Sequence, residues 1–406
     1  MNKPAVKKIT GIILRIVIFG AIFAYGLLHL SYLVKPELSH TRNNISGYYA
    51  EPKNSLDVVF IGTSGTMSAY VPMQAYEDYG YTSYNFCTNE RTVESITYSI
   101  KEALKTQSPE LLVIDVRPLI RKVTLKQLWE EGDTASVRYN TDGYRYSLDR
   151  VKFLWENLPH NTGSLPYYLD IILYHNQPLN WKNWNGAYKF INRGYNFMGW
   201  EGDIPVPEIN DDIVPLDENL DAYLDEIIAA CKQIDSRTKV LFLYYPYRIA
   251  MYNDYMSENV NYVQQKVQDA GFPFIDGEEY YDEIGLDASR DFQNGGHWNI
   301  FGAEKITTWL SARLVNDYDL PDHRGTPEYT AWDNDRTEWD ATVADEKEKL
   351  EKIIKKAEKK KAKKEAKAAA EAEAADDTGE TAGAGADTAD AGMDTGTDTI
   401  TEGAAD

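Results

Sequence analysis

The sequence predicts an α/β protein. It would be a single three-layer domain on a parallel sheet of about five strands, with an N-terminal membrane helix and a C-terminal helical tail. Three observations carry this. Short strand-like segments recur at 56–61, 82–86, 111–116, 239–244 and 272–275, the first a continuous apolar run rich in β-branched residues, as in a strand buried on both faces. Helical segments alternate with them, the order that builds parallel sheets. A long apolar run follows basic residues at the N-terminus.

Residues 1–35 read as a cytoplasmic stub and transmembrane anchor. Lys3, Lys7, Lys8 and Arg15 precede or enter the apolar run 16–34, and a span needs about 20 residues. Positive charge before the span puts the N-terminus in the cytoplasm and the rest outside the cell. A cleaved signal peptide is the competing reading, because Ala24-Tyr25-Gly26 is a small-x-small site. Leu27, Leu28, Leu30 and Leu33 continue the run past it and favour an uncleaved anchor. His29 then lies near the interface. Residues 36–53, polar and rich in Asn, Ser, Gly and Tyr, read as a juxtamembrane stalk.

The α/β domain is expected over 54–340. After the strand at 56–61, Pro72 opens a helix running to 79. A strand at 82–86 leads to a helix at 93–105, with Ile96, Ile100 and Leu104 on one face. The strand 111–116 is closed by Pro118. Residues 119–210 break the rhythm, being dense in Trp, Tyr and Asn with one apolar helical segment at 167–174. They read as an insertion that roofs the site. Trp155, Trp181, Trp184 and Trp200 would either stack on sugar rings or pack the insertion's own small core.

The rhythm resumes with a helix at 217–233, carrying Leu220, Leu224, Ile227, Ile228 and Cys231 on one face. A strand at 239–244, a helix at 253–270 capped by Gly271, a strand at 272–275 and a helix at 300–314 complete the domain. Residues 341–370 form a Lys/Glu/Ala helix by propensity. Residues 371–406, rich in Ala, Gly, Thr and Asp, cannot bury a core and read as a disordered acidic tail.

The chain has 406 residues and a net charge of −22, which argues against nucleic acid as the main partner. Cys87 and Cys231 have no metal-ligand neighbour at CxxC or CxxH spacing. They either pair or stand as lone buried thiols, and the place of Cys231 on an apolar stripe favours the latter. No metal or cofactor is expected.

Ser64 follows the first strand directly, and ligands of parallel α/β sheets bind at the carboxyl ends of strands. Gly62 frees the turn, and Gly65 leaves a backbone N–H open to help hold an oxyanion. Thr66 stands where the second glycine of a GxSxG elbow would be. His297, flanked by Gly295 and Gly296, is the candidate base for Ser64. Taken alone, the serine reads equally as a helix-capping turn residue, and the histidine as a structural loop residue.

The block 56–64, Leu-Asp-Val-Val-Phe-Ile-Gly-Thr-Ser, resembles the first signature of the SGNH/GDSL hydrolases. Asn294-Gly295-Gly296-His297 resembles their last, usually Asp-x-x-His. The stretch 294–305 is similar to a version in membrane-anchored SGNH-like proteins of Gram-positive bacteria. The resemblance covers 52–116 and 239–314. It implies a flavodoxin-like SGNH fold, with Ser64 as nucleophile, His297 as base and Asn294 in the acid's position. Asp291 is an alternative third member. Asn89, after the second strand, and Arg117, where the family has its GxND, complete the candidate oxyanion and substrate-binding set with Gly65.

The expected function is an extracytoplasmic serine esterase or O-acyltransferase. It would act through an acyl-serine on acetyl-type esters of a cell-envelope polysaccharide, beside a membrane-bound O-acyltransferase. The rival expectations are a catalytically impaired SGNH-fold protein that binds glycan or docks an acyltransferase, and an envelope scaffold acting through its Lys-rich helix and acidic tail.

Overall fold

The computed structural model describes residues 3–35, 40–202, 210–247 and 257–379. Two compact units divide it, 1–352 and 353–406. The first opens with α1 (Lys3–Leu33), of which Lys8–Leu33 is long and apolar enough to cross a membrane.

The stalk expected at 36–53 is not a stalk where it is described. His40–Tyr48 is a helix, α2, and Asn44, Ile45 and Tyr48 are fully buried in the domain. Tyr48 Oη donates to Ala103 O at 3.0 Å, and Tyr84 Oη to Asn44 O at 2.8 Å. Polar composition concealed this, because tyrosines and an asparagine enter a core once their polar atoms are bonded.

The sheet follows. β1 (Val58–Ile61) leads through α3 (Ser64–Ala69) and α4 (Pro72–Tyr79) to β2 (Ser83–Asn85), and α5 (Val93–Ala103) leads to β3 (Leu111–Asp115). The expected insertion contains α6 (Arg117–Arg121), α7 (Leu125–Glu130), α8 (Thr134–Thr141), α9 (Leu148–Asn157), α10 (Leu165–Tyr168) and α11 (Ile171–Tyr174), with no strand among its described residues. The single helical segment expected at 167–174 is thus two short helices. Then come α12 (Glu218–Lys232), β4 (Lys239–Tyr244), α13 (Ser257–Asp269) and β5 (Phe274–Asp276). The start of the helix expected at 253–270 lies outside the described residues.

Among the described residues the five strands are all parallel, in the order β2-β1-β3-β4-β5. This is the doubly wound 2-1-3-4-5 order, whose switch point lies between β1 and β3. Right-handed crossovers put α4 on one face and α5 on the other, since the β1-to-β2 and β2-to-β3 connections run in opposite directions across the sheet. Helix α12 packs on α5 and α15 (Ile300–Tyr318) on α4, which covers both faces. Strands β1 and β3 are buried throughout, as their unbroken apolar runs require.

A short helix α14 (Tyr281–Ile284) precedes a small antiparallel hairpin, β6 (Phe292–Asn294) and β7 (His297–Trp298), which stands apart from the main sheet. The last helix, α16 (Thr330–Gly379), contains the expected Lys/Glu/Ala segment and continues through 371–379. The disorder expected beyond, at 380–406, lies outside the described residues.

Candidate active site

The switch point brings the β1 and β3 ends together, and the β6–β7 hairpin closes over them. Thr63 caps α3 with extended backbone, which makes Ser64 the first helical residue. Thr63 Oγ1 accepts from Gly65 N–H at 3.1 Å and donates to Asp115 Oδ2 at 3.1 Å. The same Asp115 oxygen accepts from Thr66 Oγ1 at 3.0 Å and Tyr247 Oη at 3.2 Å. Asp115 Oδ1 accepts from Arg117 N–H at 2.9 Å. One buried carboxylate at the end of β3 thus ties down the loop that carries Ser64. Burial raises its pKa, against the lowering effect of the Arg117 N–H and charge.

His297 meets Ser64 here. Its Nε2 lies 2.8 Å from Ser64 Oγ, and its Nδ1 lies 3.0 Å from Asn294 Oδ1. Asn294 Oδ1 also accepts from Gly296 N–H at 3.0 Å. A backbone N–H can only donate, so this bond fixes the amide with its oxygen toward the ring. The imidazole must then carry its proton on Nδ1, leaving Nε2 bare to receive the Ser64 proton. Both His297 and its holder come from the one hairpin, across a two-glycine loop.

Asp291, the alternative third member, is not at the imidazole. Its Oδ2 forms an ion pair with Lys305 Nζ at 2.6 Å and accepts from Asp287 N–H at 2.8 Å. Its buried carboxylate anchors the chain before α15, so proximity in sequence was misleading.

Arg117 lies against the pair. It is buried, stacks over the Tyr247 ring at 4.2 Å, and donates from Nη1 to Gly296 O at 2.9 Å. Its Nε has no hydrogen-bond partner among the described residues, and neither does the guanidinium have a carboxylate in ion-pair range. Close approach explains two glycines: a Cβ on Gly65 would lie 2.7 Å from Arg117 Nη1, and one on Gly296 2.5 Å from Nη2. Burial, then the charges of Arg117 and Arg121, push the His297 pKa down to about 3.

The oxyanion expectations need correction. Gly65 N–H is committed to Thr63 Oγ1. The Ser64 N–H, first of the helix, has no intrahelical carbonyl to bond and is the better-placed backbone donor. Asn89 sits in the loop after β2, next to Thr88, whose N–H donates to Gly62 O at 3.3 Å. Arg117, a candidate from the sequence, lies against the Ser64–His297 pair, oriented by Tyr247 and Gly296. Asp115 and Tyr247 were missed as site residues. A carboxylate ending a buried strand beside Arg117 was the available signal.

The insertion does not place its tryptophans on this site. Trp155, Trp181 and Trp184 are exposed, and Trp184 stacks on His29 of α1. The end of the insertion does reach the site's flank, where Asn196 N–H donates to Met67 O at 2.8 Å and Glu201 N–H to Gln293 O at 3.1 Å. Trp200 lies there, its Nε1 donating to Ser289 O at 2.9 Å.

No family model and no curated protein matches the chain. Solved structures that match include a gut microbial diltiazem-metabolizing enzyme, at 11% identity and a TM-score of 0.24. That match covers 66% of this chain and 48% of the other, so the chain spans about half the length of that structure.

Proposed function

We propose that the chain is a membrane-anchored, extracytoplasmic SGNH-like serine esterase or O-acyltransferase, acting on acetyl-type esters of a cell-envelope polysaccharide. The observation that supports this reading is the Ser64–His297–Asn294 chain, with contacts of 2.8 and 3.0 Å, at the switch point of a parallel sheet. The basic N-terminal flank motivates the orientation across the membrane. A membrane-bound O-acyltransferase would supply the acyl donor.

In this mechanism Ser64 Oγ attacks the acyl carbonyl carbon while His297 Nε2 takes the Oγ proton. The tetrahedral oxyanion pairs with Arg117 and the Ser64 N–H. The ester C–O bond then breaks, and the proton on Nε2 passes to the departing alkoxide. Water or a sugar hydroxyl attacks the acyl-Ser64 carbonyl, gives its proton to Nε2, and expels Ser64, which takes that proton back. Burial first, and then the charge of Arg117, make the free-enzyme imidazole a weak base. As negative charge builds on the oxyanion, it offsets Arg117, and the imidazolium becomes easier to form in the same step. The interaction is therefore stronger in the transition state than in the ground state, which is what accelerates a reaction.

The test is to incubate the detergent-solubilised full chain with a nitrophenyl acetate and map acetyl groups by peptide mass spectrometry. Acetyl on Ser64, lost in Ser64→Ala, is expected. Turnover unchanged by Ser64→Ala would overturn the reading.

A second reading has its own motivation: Asn294 cannot stabilise an imidazolium as a carboxylate does. In it the fold binds glycan or docks an acyltransferase without turnover. A Ser64→Ala strain that keeps normal envelope acylation, beside a deletion strain that loses it, would favour this over catalysis.

A further inference from the structure

We propose that the insertion lies on the bilayer that α1 crosses, with an apolar and aromatic rim in the headgroup layer and Lys182 facing anionic lipid. This rests on reading α1 as a membrane span. It does not depend on esterase activity.

The end of α1 is built into the domain. Ser31, Tyr32, Leu33, Val34 and Lys35 are all buried. Lys35 Nζ pairs with buried Asp170 at 2.7 Å, just before α11. Tyr146 N–H donates to Tyr32 Oη at 2.8 Å, Asn183 Nδ2 to Tyr32 O at 2.9 Å, and Asn180 N–H to Leu33 O at 2.6 Å. The His29 ring stacks on Trp184 with centroids 4.7 Å apart, and His29 Nδ1 lies 2.8 Å from Trp184 O. These contacts hold this part of the insertion at the level of the helix's last two turns.

The depth then follows from length. The run 16–34, interrupted only by His29 and Ser31 as polar residues beside its tyrosines, is about 28 Å long at about 1.5 Å per residue, close to the roughly 30 Å hydrocarbon core. With Arg15 snorkelling at one interface, the other end of the run reaches the opposite interface, and whatever is fixed to that end is seated there. The parts of the insertion fixed there expose Ile172, Leu173, Leu179, Trp181 and Trp184, with Trp181 66% exposed. Tryptophan is enriched at this level of membranes because its ring is apolar and its N–H polar.

Charge points the same way. The chain has 64 acidic residues among 406, yet residues 171–200 contain none; of their basic residues Lys189 and Arg193 pair with Asp335, which leaves Lys182 to face the lipid. A chain of net charge −22 is repelled by an anionic membrane, and an acid-free stretch beside the span lowers that repulsion where the two meet.

The experiment uses the full chain in vesicles of phosphatidylcholine with a quarter phosphatidylglycerol. Spin labels are placed singly at Leu173→Cys and Trp181→Cys. Phe19→Cys serves as the hydrocarbon reference and Arg237→Cys, in the exposed turn before β4, as the water reference. Collision rates with oxygen and with a water-soluble nickel chelate are then compared. The expected oxygen-to-nickel ratio at 173 and 181 is several-fold above that at 237 and below that at 19. Ratios equal to the water reference at both sites overturn the proposal. So does exclusion of both probes, which would mean a protein partner covers the rim. A water-like ratio at Phe19 would overturn the span reading and the proposal with it. Acetyl-ester hydrolysis by the same samples reports separately on the site.

Discussion

At the residue scale the unusual feature is a histidine held by an amide and faced by a guanidinium that has no carboxylate partner among the described residues. Neutral His297 is the working form, so activity should stay level from about pH 8 down and fall only toward its pKa of about 3. Arg117→Gln removes one of the charges that depress it. The acid limb should then move up, but only part of the way to the ordinary histidine value, because burial, the largest cause of the depression, remains, while kcat falls about 10²-fold through loss of an oxyanion donor. A pH–rate profile of both proteins checks this, and an unmoved acid limb would contradict the role of Arg117. Asn294→Asp should raise kcat by about tenfold or more, because a carboxylate supports the imidazolium; the opposite exchange in a serine triad costs about 10⁴-fold. Steady-state ester hydrolysis measures it, and a slower variant would count against the mechanism. Ser64, His297 and Asn294 were legible from order and spacing. Arg117's orientation was not, because it depends on Tyr247 and Gly296 approaching from distant segments.

Among elements, what the sequence revealed depended on how apolar each one is. Strands β1, β3 and β4 announce themselves as continuous runs, since both faces must be covered. Helix α2 hides because it buries through tyrosine and asparagine side chains. The β6–β7 hairpin hides because strands of three and two residues are too short for a period. The junction of α1 with the insertion was also invisible, being carried by a single buried ion pair and its neighbours. Burial raises the Asp170 pKa, and Lys35 and Arg150 outweigh it, so the net shift is downward. A carboxylate depressed in the folded state contributes stability that is present above its unfolded pKa and lost as pH falls through the folded one. Asp170→Asn should therefore cost about 3 kcal/mol near neutral pH by stranding buried cations. The penalty should shrink toward acid. Thermal melts of the full chain in detergent at neutral and acidic pH would show it, and equal losses at both would argue against the ion pair.

At the scale of the whole molecule, the apolar N-terminal helix, the parallel α/β sheet and the long helix α16 were all visible as shifts in composition. The role of the insertion was not, because aromatic density fits a glycan cleft and a membrane rim equally well. The cysteines add a test of the core. Both are free and buried, and burial pushes each thiol up to about 12. The folded chain at pH 8 should take up no iodoacetamide at Cys87 or Cys231, and its melting temperature should not change with reductant. Rapid alkylation without denaturant would mean the core opens more readily than its packing implies.

The junction of α1 with the domain also has a kinematic meaning. A domain whose core includes the last turn of its own N-terminal apolar helix has no tether to swing on. With α1 in a bilayer, its free motions reduce to lateral drift and spin about the membrane normal. Every copy then holds Ser64 at one altitude and one tilt, so encounters become a two-dimensional search. For the envelope polymer proposed above as substrate, strands higher than that altitude would have to bend down to it, and groups close to the lipid surface would be met first.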